Sequence, residues 1–200
     1  MEMNENKIVL KHNGSTLLSP FLLGVGEAII VFVPSPQTRE VRYVSTNKDQ
    51  FYCHKKPYWV EFVGYSYNKY DLQLINANLM RFQEVGVFSN EKSTISQTDI
   101  DMLDGGDVRL LNLLLCRLKG EDFIELNVAG LSFNSIHRVL NYVLRDISKK
   151  DVAYIIVVYT DIVLSKTNPI SLNNDTIDAV MDELIKENEV RLYLNNRMSE

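Results

Sequence analysis

The run Val152 to Tyr159, VAYIIVVY, contains no polar residue other than its tyrosine hydroxyls. A strand with one wet face alternates apolar and polar residues. An unbroken β-branched run instead fits a strand covered on both faces, as in a parallel sheet between helices. Parallel neighbours require a crossover, and the preceding segment supplies one. Asp122 to Val128 reads as a strand. Ile136, Val139, Leu140, Val143, Leu144 and Ile147 follow at helical spacing, with Ser132 or Asn134 as the N-cap. Strand, amphipathic helix and buried strand form a right-handed βαβ unit. A second helix follows Asn173, with Ile177, Val180, Met181, Leu184 and Ile185 on its apolar face, Asp175 as N-cap and Asp178 at N3. Glu189 to Asn195 alternates and reads as a closing edge strand, giving βαβαβ.

Before residue 95 the pattern differs. Lys7 to His12, the Asn13-Gly14 turn and Thr16 to Leu23 read as a hairpin. Ala28 to Val33, Glu40 to Ser45, Phe51 to His54, Tyr58 to Gly64, Tyr70 to Ile75 and Arg81 to Phe88 read as further short strands. The expected fold class is therefore α+β. A β-rich N-terminal part over residues 1–95, built as an antiparallel sheet, barrel or sandwich, precedes an α/β part over residues 96–200. A single fused domain is the alternative.

Between them, Thr98 or Asp99 caps a short turn, and Val108 to Leu118 reads as a helix whose polar positions are Arg109, Asn112 and Arg117. A helix apolar nearly all round is buried in its own domain or against a partner. Leu110, Leu111, Leu114 and Leu115 are thus candidate interaction residues.

Composition excludes several function classes. With 46% hydrophobic residues in 200, the chain can bury a core, and a net charge of -5 opposes nucleic-acid binding through phosphate neutralisation. Ser15 to Val33 is long enough to suggest a membrane span, but Pro20, Gly24, Gly26 and Glu27 break it into strands. No nucleic-acid or membrane partner is expected. Cys53 and Cys116 make no disulfide framework, which suits a reducing cytoplasm, or a host cytoplasm or virion for a viral protein.

Motifs for catalysis are sparse. His12, His54 and His137 are scattered, and Cys53-His54 lacks a second ligand pair. No G-x-S-x-G, H-E-x-x-H or G-x-x-x-x-G-K-[ST] occurs. Gly24-Val25-Gly26-Glu27 is half a dinucleotide fingerprint placed before a strand. Clustered carboxylates at Asp99, Asp101, Asp104 and Asp107 have the chemistry that Mg²⁺ or Ca²⁺ prefers, without the spacing of a calcium loop. His54-Lys55-Lys56-Pro57-Tyr58-Trp59 sets cations beside aromatics, as single-strand binders do, but stands alone.

Phe123 to Leu144 resembles the strand, Gly-containing turn and helix start of STAS-type regulatory domains. The resemblance implies phosphorylation at Ser135, although the family's Asp-Ser-x-Gly reads Asn134-Ser135-Ile136-His137 here. The leading expectation is a non-enzymatic interaction or assembly protein, without cofactor or metal, acting through a protein partner or self-association. Its Asn-rich, Gly- and Pro-poor composition suits a phage or viral structural or accessory protein. The alternatives are a STAS-like regulator acting through Ser135 and a metal-dependent enzyme using the carboxylates of 99–107.

Overall fold

Val152 to Val158 is buried throughout, no residue more than 5% exposed. In the computed structural model, which describes residues 6–12, 15–16, 21–34, 41–45, 58–60, 67–128, 130–160 and 170–197, this run lies at the centre of a sheet. The first half of the chain holds β1 (Asn6–His12), β2 (Ser15–Thr16), β3 (Phe21–Leu23), β4 (Ala28–Pro34), β5 (Val41–Ser45), β6 (Tyr58–Val60), α1 (Lys69–Ala77) and α2 (Leu79–Glu84). Then come α3 (Gln97–Asp101), α4 (Gly105–Leu118), β7 (Phe123–Asn127), α5 (Phe133–Ile147), β8 (Ala153–Thr160), β9 (Ile170–Ser171) and α6 (Asn174–Arg197).

The main sheet has the order β6-β7-β8-β4-β9. Its first four strands are parallel, with Trp59 opposite Glu125, Glu125 opposite Ile155, and Ile156 opposite Ile30. β9 closes the edge antiparallel to β4. A smaller antiparallel sheet is built on β1, which pairs with β2, β3 and β5. The hairpin expectation is met in backbone pairing, Lys11 opposite Thr16; Asn13 and Gly14 lie outside the described residues.

The α+β class with a β-rich antiparallel barrel or sandwich is therefore corrected to α/β. β4 and β6 leave the N-terminal strands and enter the same parallel sheet as β7 and β8, across the boundary placed at residue 95. The physical reason is visible in β4. Ala28 to Val31 is at most 5% exposed, the same covered-strand pattern as β8.

Three segments expected as strands are helices. Tyr70 to Ile75 and Arg81 to Phe88 fall largely in α1 and α2, where buried Asp71, Ile75, Leu79 and Phe82 recur at helical spacing. Asn68 and Asp71 form a capping box at the start of α1. Glu189 to Asn195 continues α6, because no Gly or Pro interrupts the chain from Asn174 to Arg197. The βαβαβ ending is thus a βαβ unit followed by β9 and a helix.

Caps also shift. Ser96 caps α3 with Asp99 in reciprocal contact, Asp104 caps α4, and Asn173 caps α6 by accepting from Thr176 N at 2.9 Å. Ser132 caps α5 as expected. On α4 two of the three polar positions are inside: Arg109 and Asn112 are buried, and Asn112 Oδ1 accepts from Tyr67 OH at 2.8 Å.

Below the sheet, at the start of β8, lies a buried polar network. The Asp146 carboxylate, 2% exposed, accepts from Arg117 Nε at 2.9 Å, Lys149 Nζ at 2.8 Å and Tyr154 OH at 2.7 Å. Arg117 also donates to the Glu121 carbonyl and to Asp151. Burial, reinforced by the Asp146 charge, pushes the Tyr154 phenol far above its ordinary pKa.

Removing the carboxylate takes one partner from Arg117 and leaves the buried Tyr154 hydroxyl without its acceptor. Asp146→Ala is expected to cost about 1–3 kcal/mol in urea unfolding, and no loss would show that the network is dispensable. Because the folded pKa of Tyr154 is raised, stability associated with its neutral form is full below the unfolded value near pH 10 and declines above it. Ultraviolet titration of the native protein should therefore leave Tyr154 un-ionised at pH values where the tyrosines of the unfolded chain ionise.

Candidate functional site

In open α/β sheets, ligands bind beyond the carboxyl ends of the parallel strands. Here those ends are Asn127 of β7, Thr160 of β8 and Pro34 of β4. Segments 35–40 and 161–169 and Ala129 lie outside the described residues.

Two helix N-termini meet at this edge. Asp107 N donates to Asp104 Oδ1 at 2.7 Å at the start of α4, and Ser135 N to Ser132 Oγ at 3.3 Å at the start of α5. The helices touch where Gly106 faces Ser135: a Cβ on Gly106 would lie 2.6 Å from Ser135 Cβ. Only a glycine lets α4 approach so closely. Beside this contact, Arg138 of α5 pairs with Asp107 of α4 at 2.9 Å. Burial raises the Asp107 carboxyl above its usual range, against the lowering effect of Arg138.

The acidic string from Asp99 to Asp107 is divided among structural tasks. Asp99 accepts from Lys92 and from Ser96, and these hydrogen bonds hold its carboxyl well below the ordinary range. Asp101 accepts from Gln97, Asp104 is a cap and Asp107 is an ion pair. Among the described residues no three His, Cys, Asp or Glu are grouped to hold a metal ion. The metal-dependent reading loses its ligand set, since helix capping draws the carboxylates apart.

The candidate interaction residues are also relocated. Leu110, Leu111, Leu114 and Leu115 are 0–7% exposed and belong to the core, covered by this chain's own elements. Ser135 is 7% exposed, receives the hydroxyl of Ser132 at 2.9 Å and packs on Gly106, so a kinase cannot reach it without opening the helix pair. The STAS-like role for Ser135 is corrected on that ground. His12 is on β1, His137 is exposed on α5, and Cys53 and His54 lie outside the described residues. Cys116 is a buried free thiol.

Sequence reasoning missed the buried polar set Asp71, Glu125 and Asp146. Asp71 was hidden in a segment read as a strand, although Asn68-x-x-Asp71 is a capping-box spacing. It pairs with Lys119 at 2.6 Å, tying α1 to the end of α4.

No protein-family model matches the chain, and no curated protein matches it. Solved structures do. An ATP-binding cassette of an ABC transporter in its ADP conformation aligns over 96% of this chain and 99% of its own, with 14% identity and a TM-score of 0.50. A nucleotide-free cassette from an ABC transporter covers 78% of this chain and 81% of its own at 14% identity and a TM-score of 0.46. A Clostridium perfringens cassette, part of the ABC transporter complex cbiONQ, covers 100% and 97% at 13% identity and 0.47.

The first likeness shows a shared α/β fold. It corrects the expectation of a non-enzymatic interaction or assembly protein of viral or phage type, because the fold is one that ATP-binding cassettes use.

The residues for a P-loop were tested against this edge. A P-loop joins a strand to a helix through G-x-x-x-x-G-K-[ST], whose backbone N–H groups and Lys hold phosphates. Residues 35–40 after β4, Ser35-Pro36-Gln37-Thr38-Arg39-Glu40, contain no glycine and no lysine, and β5 is the next described element. On β7 the carboxylate, Glu125, is buried within the strand, and the strand ends on the amide of Asn127. The donor set of a P-loop phosphate site does not fit these residues.

The helix contact itself is testable. Gly106→Ala forces α4 and α5 apart and is expected to cost about 1–3 kcal/mol of unfolding free energy. Adding Ser135→Gly should recover part of that loss in the same denaturant titration. Full stability of the single variant would refute the close-approach argument.

Proposed function

We propose that the chain is a nucleotide-binding module of the ATP-binding-cassette kind that works with a protein partner. The observation that carries the reading is the fold, in which β4 lies between β8 and β9 and the parallel strands open onto one edge, shared nearly end to end with a transporter cassette. That edge is where such sheets take ligands. The ligand class is a nucleoside triphosphate.

The missing P-loop sets the terms of the activity. Transfer or hydrolysis of a γ-phosphoryl group requires cations that neutralise developing charge, and segment 35–40 after β4 has Arg39 as its one cation. In this reading, turnover depends on groups from a partner chain. A transporter-type partner brings a membrane within reach and revises the expectation of no membrane; among the described residues, no helix is long and apolar enough to cross one. A cytoplasmic position belongs to the same proposal and suits the free thiol of Cys116.

Equilibrium titration with a fluorescent ATP analogue tests the binding. Saturable binding displaced by unlabelled ATP and by ADP is expected, with a Tm that rises as ligand is added. Absence of displacement at millimolar ATP would reject the nucleotide reading. Phosphate release in the same samples should stay at the no-protein rate until a partner is added.

A further inference from the structure

Away from the strand ends, α5 carries a polar stripe on its outer side. His137, Asn141 and Arg145 are spaced four residues apart, so they stack along one face. With Arg138 they line an open cavity of about 160 Å³, closed at the back by Val85, Leu110 and Tyr142. No carboxylate lines it. In a chain whose net charge is -5, two guanidiniums and an imidazole share a cavity that no carboxylate lines.

The positive groups are not equally committed. Arg138 is neutralised by Asp107 at 2.9 Å and reaches the carbonyls of Val85 and Gly86 at 3.4 Å. Arg145 makes no ion pair among the described residues. Asn141 Nδ2 donates to the His137 carbonyl at 2.9 Å and lies 3.2 Å from its Nε2, holding the imidazole against the stripe.

We propose that this cavity binds a phosphate monoester group, with Arg145 as the principal cation, His137 and Asn141 beside it and Arg138 at the rim. Pockets for whole small molecules span roughly 300–1,000 Å³, so the enclosed space suits one charged group. A guanidinium fork matches phosphate geometry with paired N–H donors. A phosphate brings about -1.5 to -2 of charge and three acceptor oxygens to a site whose donors converge from three turns of one helix. The group can arrive on a small phosphorylated metabolite or on a phosphorylated side chain.

The test is a ¹H–¹⁵N NMR titration of the full chain with inorganic phosphate and, separately, with a phosphoserine peptide. Saturable shifts at the His137, Asn141 and Arg145 signals are expected, with affinity lowered about tenfold in Arg145→Gln, the usual scale of a charged hydrogen bond. Tighter binding of the peptide assigns the site to a modified side chain, and tighter binding of phosphate assigns it to a metabolite. Shifts that grow without saturation, that chloride reproduces at matched ionic strength, or that persist unchanged in Arg145→Gln overturn the proposal. Should Arg145→Gln fail to fold, Arg145→Lys keeps the charge, loses the fork and must still weaken binding. Fluorescent ATP-analogue binding is expected to be unchanged in either variant, which separates this site from the strand edge.

Discussion

Burial of β8 on both faces is the constraint from which the rest of the architecture follows. Each N–H and C=O of a strand with no access to water must be bonded, so β8 needs a neighbour on either side. It finds β7 and β4, both parallel. Parallel neighbours cannot be joined by a tight turn, so α5 carries the chain from the end of β7 back to the start of β8. Both faces must then be covered by apolar surface. α5 packs against β4 and β8, while α4 and α6 pack against α5.

α4 and α5 run side by side in the same direction, fastened at both ends. Near their N-termini Gly106 meets Ser135, and near their C-termini Arg117 meets Asp146. The two contacts are eleven residues apart on each helix, about 16 Å at 1.5 Å per residue. The upper contact depends on a missing side chain and the lower one on paired charges. Polar groups are fully committed at the lower end, where the Asp146 carboxylate takes three donors, and the strands present their carboxyl ends at the other. The same pair of helices thus secures the sheet and borders the edge at which a ligand is expected.

The parts legible in sequence were those whose local pattern and tertiary role agree. VAYIIVVY and the stripe Ile136 to Ile147 define the βαβ unit because their period is set by the surfaces they bury. β4 has the same unbroken apolar run but sits among turn-rich segments, and its neighbours suggested a hairpin. Which strands pair across more than a hundred residues is a property of the fold, absent from any local window. α1 was misread because Tyr70, Leu72 and Leu74 alternate, while its most buried residues, Asp71 and Ile75, include a charged one. The buried Asp71 is satisfied by Lys119, a partner 48 positions away that no pattern within the segment announces. Leu110, Leu111, Leu114 and Leu115 were correctly read as a buried face, yet burial alone does not say whether the cover is the same chain. Here it is.

Fold and chemistry separate at the end of β4. A P-loop is a combination of strand, glycine-rich loop and helix N-terminus. In this chain the six residues after Pro34 lead into β5, a strand of the smaller sheet. The helix N-termini that do border the edge, those of α4 and α5, are occupied by their own caps, Asp104 and Ser132. α4 also carries Asp107 in its first turn, where a carboxylate already interacts with the positive end of the helix dipole. An incoming polyphosphate would have to displace one acid and approach another. Under the proposed reading, positive charge for the phosphates therefore comes from outside these two helix ends.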